Sequence, residues 1–319
     1  MEPEQISPEL PESSSRRPVR IIKRKKKKKK VTFKKVMYYG LLTVFASVFI
    51  GSAAYLGIYA YQSQVTADLY SQMADGMGDK IMEAVKPKPT KPAPTEPGTL
   101  PTDPSTGETI VPPTTEPVET EPPQILEFLQ DTYNQNNDTI GWIYVPDTKI
   151  SYPVMQTGLD RKDYYLKRNF NKRSSDWGAI YVREVCDVFD PSDNLTLYGH
   201  HMKDGSMFSG LDAYKRKNFW QQQPYIYFSN LYESHEYKVF AVFKTSANAG
   251  EGYPYHQFVD AANQEEFDAF IAAVKSLSIA SGYYETGITP QYGDKIITLS
   301  TCEYTLENGR FVVCAVRVN

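Results

Sequence analysis

The sequence predicts a mainly β fold: a closed eight-stranded barrel, preceded by a short helix and with one long helix in the connection before the strand that ends at Cys302. Three observations carry this expectation. First, eight short runs dense in β-branched and aromatic residues follow one another, at 141–145, 150–154, 178–182, 194–198, 225–229, 236–244, 295–301 and 310–318. Each is bounded by Gly, Pro, Asp, Asn or other turn formers, the punctuation of strands. Second, the runs 237–243 and 311–316 are apolar on both faces, which predicts central strands covered from both sides. Third, a helical period appears clearly only twice in this region. Ile125, Phe128, Leu129 and Thr132 share one face before the polar stop Asn134 to Asn137. Phe267, Phe270, Ile271, Val274 and Leu277 form the stripe of a longer helix, with Asn263 as cap and Glu266 completing a capping box.

The rest of the 319 residues is unevenly apolar, so one globular domain at 124–319 is expected rather than two. Residues 1–35 are a basic tail carrying 13 of the 35 Lys and Arg but 4 of the 38 Asp and Glu. No charged residue occurs from Val36 to Ala67, a stretch longer than the roughly 20 residues needed to cross a bilayer. Tyr38, Tyr39, Tyr59 and Tyr61 suit the interfaces, and the preceding Lys run predicts a cytoplasmic N terminus by the positive-inside rule. The span 36–67 is therefore read as a retained single-pass signal anchor, too long for the usual cleaved apolar core of about 7–15 residues. The run Lys25 to Lys30 also suits anionic lipid at the inner leaflet. Residues 68–123 are assigned to an extracellular stalk, mildly helical up to 85 and then rich in Pro, Thr and Glu with hardly an apolar side chain. Polyproline spacing of about 3.1 Å per residue gives that stalk a reach on the order of 100 Å.

Outside the basic tail, 22 basic residues face 34 acidic ones, a net charge of −12. An acidic body excludes nucleic acid as its partner, since phosphate neutralisation needs basic groups on the folded domain. Neither a metal site nor any other cofactor is expected: the four histidines lack ligand spacing and there is no Gly-x-x-x-x-Gly-Lys. The three cysteines, Cys186, Cys302 and Cys314, are too few and too dispersed for a disulfide framework.

Cys302 closes the run 295–302 and precedes a turn-rich loop, a strand end that can face a cleft while its backbone stays in the ladder. Cys314 lies among Val313, Ala315 and Val316 and reads as a small core hydrophobe; Cys186 sits in a polar stretch without a partner. His200 follows Leu195-Thr-Leu-Tyr-Gly199 at another strand end, and Arg310 opens the strand after the Cys302 loop. A thiol of ordinary pKa, about 8.5, is mostly protonated at neutral pH and needs a nearby cation to become a nucleophile. A Cys, His and Arg set supplies the nucleophile, an acid for the leaving amine and a fixed cation for the oxyanion.

At these residues the chain resembles the sortase family, cysteine transpeptidases of Gram-positive bacterial surfaces. Thr298-Leu-Ser-Thr-Cys302 fits the family's Thr-Leu-x-Thr-Cys signature and Tyr198-Gly-His200 its histidine-bearing strand end. The resemblance covers about 124–319 and is closest in pattern to class B, through the two helices and the runs Asp163-Tyr-Tyr-Leu166 and Met202–Phe208. It implies a sortase-type barrel, Cys302, His200 and Arg310 as catalytic residues, and a substrate groove including Leu166, Ser300 and Glu303, with lesser contributions from Tyr253 and Tyr255. His201 stands where many members carry Asn. The implied reaction cleaves a C-terminal sorting motif of exported proteins through a Cys thioacyl intermediate and passes the acyl group to an amine. That amine belongs to a cell-wall precursor or, in a pilus-polymerising alternative, to a pilin Lys. The implied partners are sorting-motif-bearing surface proteins, with the catalytic domain held outside the cell membrane. A papain-like peptidase is disfavoured because His200 precedes Cys302 by 102 residues, and an inactive stalked adhesin because all three chemical residues are kept.

Overall fold

The computed structural model describes residues 32–86, 123–248 and 250–319. The basic tail up to residue 31 and the stalk segment 87–122 lie outside the described residues. The chain divides into two units, Met1–Gly57 and Ile58–Asn319.

In the first unit the described residues after Thr32 belong to helix α1 (Phe33–Ala74), which begins there. Its apolar side chains face outward, Leu41, Phe45 and Phe49 among them being exposed. This is the one helix among the described residues that is long and apolar enough to cross a membrane.

The second unit is built on eight strands: β1 (Thr139–Tyr144), β2 (Ser151–Met155), β3 (Ile180–Val182), β4 (Asn194–Tyr198), β5 (Tyr225–Asn230), β6 (Ser234–Ser246), β7 (Ile296–Glu303) and β8 (Gly309–Arg317). They close into a barrel in the order β1-β2-β3-β4-β7-β8-β6-β5. Two pairs, β2–β3 and β4–β7, are parallel; the others are antiparallel. Strand alternation sorts the side chains into two layers. Leu195, Leu197, Ile297, Leu299, Phe311, Val313 and Ala315 join the barrel interior, while Ile296, Val312, Cys314 and Val316 face outward into a second cluster. Helix α5 (Gln264–Ala280) covers that outer cluster with Phe267, Phe270, Ile271 and Val274. A bulge between Val239 and Ala241 shifts the β6 register, so that Phe240 and Ala241 both join the outer layer. The expected double burial of β6 and β8 is thus met by the barrel interior on one side and α5 on the other. Asn263 caps α5 by accepting from Glu266 N at 3.0 Å, and Glu266 Oε2 accepts from Ala262 N rather than from the cap residue.

Helix α3 (Glu127–Gln135) buries Leu129 and Thr132. The structure differs from the sequence expectation in the first part of the span 68–123 assigned to the stalk. Residues 68–74, in the end of α1, and α2 (Met77–Ala84) are helical, and they bury Tyr70, Met77 and Ile81. Met77 and Ile81 pack with Leu129, Trp142 and Leu231, so α2 shares a core with α3 and β1. Tyr70 OH accepts from Phe170 N and donates to Gly178 O, both at 3.3 Å. One apolar residue per turn among Ser, Gln and Asp is enough to dock a helix, though too sparse for composition to signal it. A six-residue helix α4 (Lys217–Gln222) and a 3₁₀ stretch Phe208–Lys215 complete the connection between β4 and β5.

Candidate active site

His200, Cys302 and Arg310 come from three neighbouring strands. The parallel register of β4 and β7 runs from Asn194↔Ile296 to Tyr198↔Ser300, so His200 and Cys302 each stand two residues beyond the last pair. Adjacent strands lie about 4.8 Å apart, which brings these two strand ends side by side. Across the next ladder Cys302 pairs directly with Arg310. Opposed antiparallel residues share a face, and for Cys302 and Arg310 that is the outer layer of Ser300, Val312 and Cys314. Both are half-buried, as is His200.

Two glycines make room for the histidine. A Cβ on Gly199 would meet the Phe208 ring at 2.7 Å and Ile180 Cδ1 at 2.5 Å; one on Gly178, at φ +60°, would meet the carbonyl oxygens of Tyr165 and Leu166 at 2.7 Å. His200 Nε2 is thereby held 2.7 Å from Leu166 O, a contact only an N–H can make with a carbonyl. That fixes the tautomer and leaves Nδ1 as the free ring nitrogen. Burial holds the His200 pKa below its ordinary value, the Leu166 carbonyl offsetting part of the effect. His201 is engaged elsewhere: Nε2 lies 3.1 Å from Asp212 Oδ2, and Nδ1 is buried without a partner.

Arg310 donates through Nη1 to Gly309 O at 2.9 Å and Asn308 O at 3.1 Å, which orients its fork. No ion pair among the described residues takes up its charge. A cleft of about 680 Å³ opens beside it, lined by Tyr198, Tyr253, Tyr255, His256 and Arg183 among others. Of the residues implied by resemblance, Leu166 is exposed next to His200, and Ser300 is buried with its Oγ 2.6 Å from Tyr255 OH. Glu303 follows Cys302 by one position, so alternation turns its side chain to the opposite face, where it is buried and paired with Lys244 at 3.1 Å. Cys314 is fully buried and its thiol is pushed up to about 12 by burial; burial raises Cys186 as well. Among the described residues no group of three or more His, Cys, Asp or Glu is placed to hold a metal.

Sequence reasoning did not single out Asp212, Lys215 or Tyr304 around this site. Nothing local marks them, because each acts on a partner brought near by the barrel.

Fold and site together define a β-barrel cysteine transpeptidase. Residues 143–318 match the family described as Sortase domain, and the chain belongs to the sortase family. Its relatives are sortases of class B. It is 31% identical to sortase B of Listeria monocytogenes over 194 residues, which are 60% of this chain and 74% of that protein. The structure of sortase B from Bacillus anthracis in complex with AAEK1 matches with a TM-score of 0.53 at 32% identity, covering 63% of this chain and 90% of that one. The Staphylococcus aureus sortase B–substrate complex matches with a TM-score of 0.54 at 27% identity, covering 61% and 87%.

Proposed function

We propose that Cys302 is the nucleophile of this transpeptidase, His200 its acid and base, and Arg310 its oxyanion stabiliser. The observation that carries the reading is the register: Cys302 on β7 pairs with Arg310 on β8, which lines a cleft, while His200 stands two residues past the last β4–β7 pair, as Cys302 does. Cys302 gives its thiol proton to Nδ1 of His200, the resulting thiolate attacks a backbone carbonyl of the sorting motif, and the carbonyl electrons move to an oxyanion that Arg310, with donors only, can hold. Collapse breaks the peptide C–N bond; the leaving amine takes a proton from His200 and a thioester remains on Cys302. An acceptor amine then attacks the thioester and gives its proton back to His200, and the thiolate leaves. Leu166, Ser300 with Tyr255, and Tyr253 form the groove walls, while Glu303 contributes its backbone beside the nucleophile.

The apolar helix supports a single-pass anchor with the N terminus in the cytoplasm and the domain outside. Within the expected 36–67 span, residues from Ile58 on belong to the barrel's unit. The 22 residues 36–57 remain, about 33 Å of helix and enough for a bilayer core. In this location the acceptor is a cell-wall precursor amine, and the substrates are exported proteins bearing a sorting motif.

The test is peptide cleavage profiling with the full chain in detergent micelles, read by mass spectrometry with triglycine, a lysine peptide or no amine added. A thioacyl adduct on Cys302 and an amine-dependent ligated product are expected. Arg310→Lys should lower kcat/KM by about 10² to 10³, the usual loss of one oxyanion donor. Equal release of hydrolysed peptide with and without amine would overturn the transfer reading, and ligation to the lysine peptide alone would overturn the wall-precursor assignment.

A further inference from the structure

The β4–β7 ladder stops short of the residues it serves. Its last bond runs from Gly199 N to Ser300 O at 3.1 Å; beyond it, the His200 carbonyl turns away to accept from Phe208 N at 2.9 Å. The ladder therefore aligns the strands without fixing the separation of His200 from Cys302.

A circuit of side-chain and backbone links joins the two strand ends instead. From the His200 end, His201 Nε2 lies 3.1 Å from Asp212 Oδ2, and Asp212 Oδ1 lies 2.8 Å from Lys215 Nζ. Lys215 sits over the Phe311 ring, its Nζ 5.0 Å from the centroid and 3.7 Å from Glu303 Oε1. Glu303 is adjacent in sequence to both Cys302 and Tyr304. Tyr304 OH returns to His201, donating to its carbonyl at 2.9 Å, and the Tyr304 ring stands edge-on to the imidazole at 5.4 Å.

Glu303 is the hub at the cysteine end. Its Oε2 accepts from Thr305 N at 2.7 Å and Thr305 Oγ1 at 2.6 Å, and its Oε1 faces Lys244 Nζ at 3.1 Å. The Glu303 side chain is 4% exposed and those of Lys215 and Lys244 are 29% and 25% exposed. Asp212 is more open, at 42%, and it is the burial of Glu303 that distinguishes this network from surface ion pairs, which contribute little. Glu303 and Asp212 are balanced by Lys215 and Lys244, and every charge in it has an opposite neighbour.

Resting on the assignment of Cys302 and His200 above, we infer that Asp212, Lys215 and Glu303 are positioning residues. By strapping the 3₁₀ stretch Phe208–Lys215 and the β7–β8 turn to His201, they set the distance at which the His200 imidazole meets the Cys302 sulfur. Glu303 thus serves the reaction from behind the nucleophile, its carboxylate touching neither substrate nor the His200 ring.

The test needs no known substrate. The full chain in detergent micelles is alkylated with iodoacetamide from pH 5 to 9, and the Cys302 peptide is quantified by mass spectrometry. Lys215→Met and Glu303→Gln should both move the alkylation profile to higher pH and slow the reaction at pH 6–7 roughly tenfold, because a displaced imidazole no longer favours the thiolate. Lys215→Arg should retain the wild-type profile. Acting only through its own charge on the thiol, loss of Lys215 would move the profile up and loss of Glu303 would move it down. Shifts in opposite directions therefore overturn the inference. So does a His200→Ala/Lys215→Met double variant slower than His200→Ala alone, since a purely structural effect adds while one exerted through His200 does not. If His200→Ala itself left the profile unchanged, the assignment of His200 would fall first.

Discussion

Cys302 and Cys314 carry the same thiol on the same outer layer of adjacent strands, in opposite surroundings. Cys314 is fully buried beside Thr298 Oγ1 at 3.5 Å, and its pKa of about 12 keeps it protonated at any physiological pH. Cys302 stands half-buried at a strand end beside Arg310. Native-state alkylation should therefore label Cys302 and spare Cys314; equal labelling would contradict the assignment. Cys302→Ala should end thioester formation with little change in melting temperature, whereas Cys314→Ala should act through packing, at a cost on the order of 1 kcal/mol. Glu303 gives a further expectation, in the pH dependence of stability. Burial alone would raise its pKa, yet the Thr305 and Lys244 contacts bring it down to about 2 from the usual 4.5. A carboxylate depressed in the folded state contributes stability that is fully present above its unfolded value. That contribution is lost as pH falls from about 4.5 toward 2. Thermal unfolding between pH 6 and 2.5 should show a shallower acid loss in Glu303→Gln than in wild type; parallel curves would rule the contribution out.

The strands were legible in the sequence because their signal is local. Runs of β-branched and aromatic residues bounded by turn formers mark all eight within a few positions, and the apolar faces of β6 and β8 pointed to cover on both sides. The strand-end rule likewise pointed to His200, Cys302 and Arg310 before any geometry was known. What remained hidden depends on distant partners. Tyr70, Met77 and Ile81 look unremarkable in a polar stretch and are buried only because Phe170, Gly178, Leu129 and Trp142 wait for them. Asp212 and Lys215 are ordinary charges until the barrel brings 201–215 against 303–305, and Glu303, expected in the substrate groove, turns its side chain toward them instead. The docked helices should accordingly matter for stability. Ile81 is fully buried, and Ile81→Ala should cost about 2–5 kcal/mol, the range for a deleted core side chain. Urea unfolding of the full chain in micelles measures this directly, and a cost under 0.5 kcal/mol would mean that α2 is not packed as described.

On the scale of the whole molecule, charge and hydropathy set the expected orientation. Thirteen basic residues precede the uncharged stretch, so protease added to intact protoplasts should digest the barrel and leave the tail protected. Survival of the barrel beside a digested control surface protein would reverse the topology. The parallel pairing of β4 with β7 has a consequence in time as well as in space. His200 and Cys302 are 102 residues apart in the chain, and the strands that flank Cys302 in the barrel, β4 and β8, are made before and after it. Contacts of such long range form late, once the entropy of closing the intervening loop has been overcome. A chain that has not yet closed its barrel carries the imidazole and the thiol apart, and the thiol lacks the neighbours that activate it. Among the described residues β8 is the last strand of the barrel, so its closure is the event that completes the site.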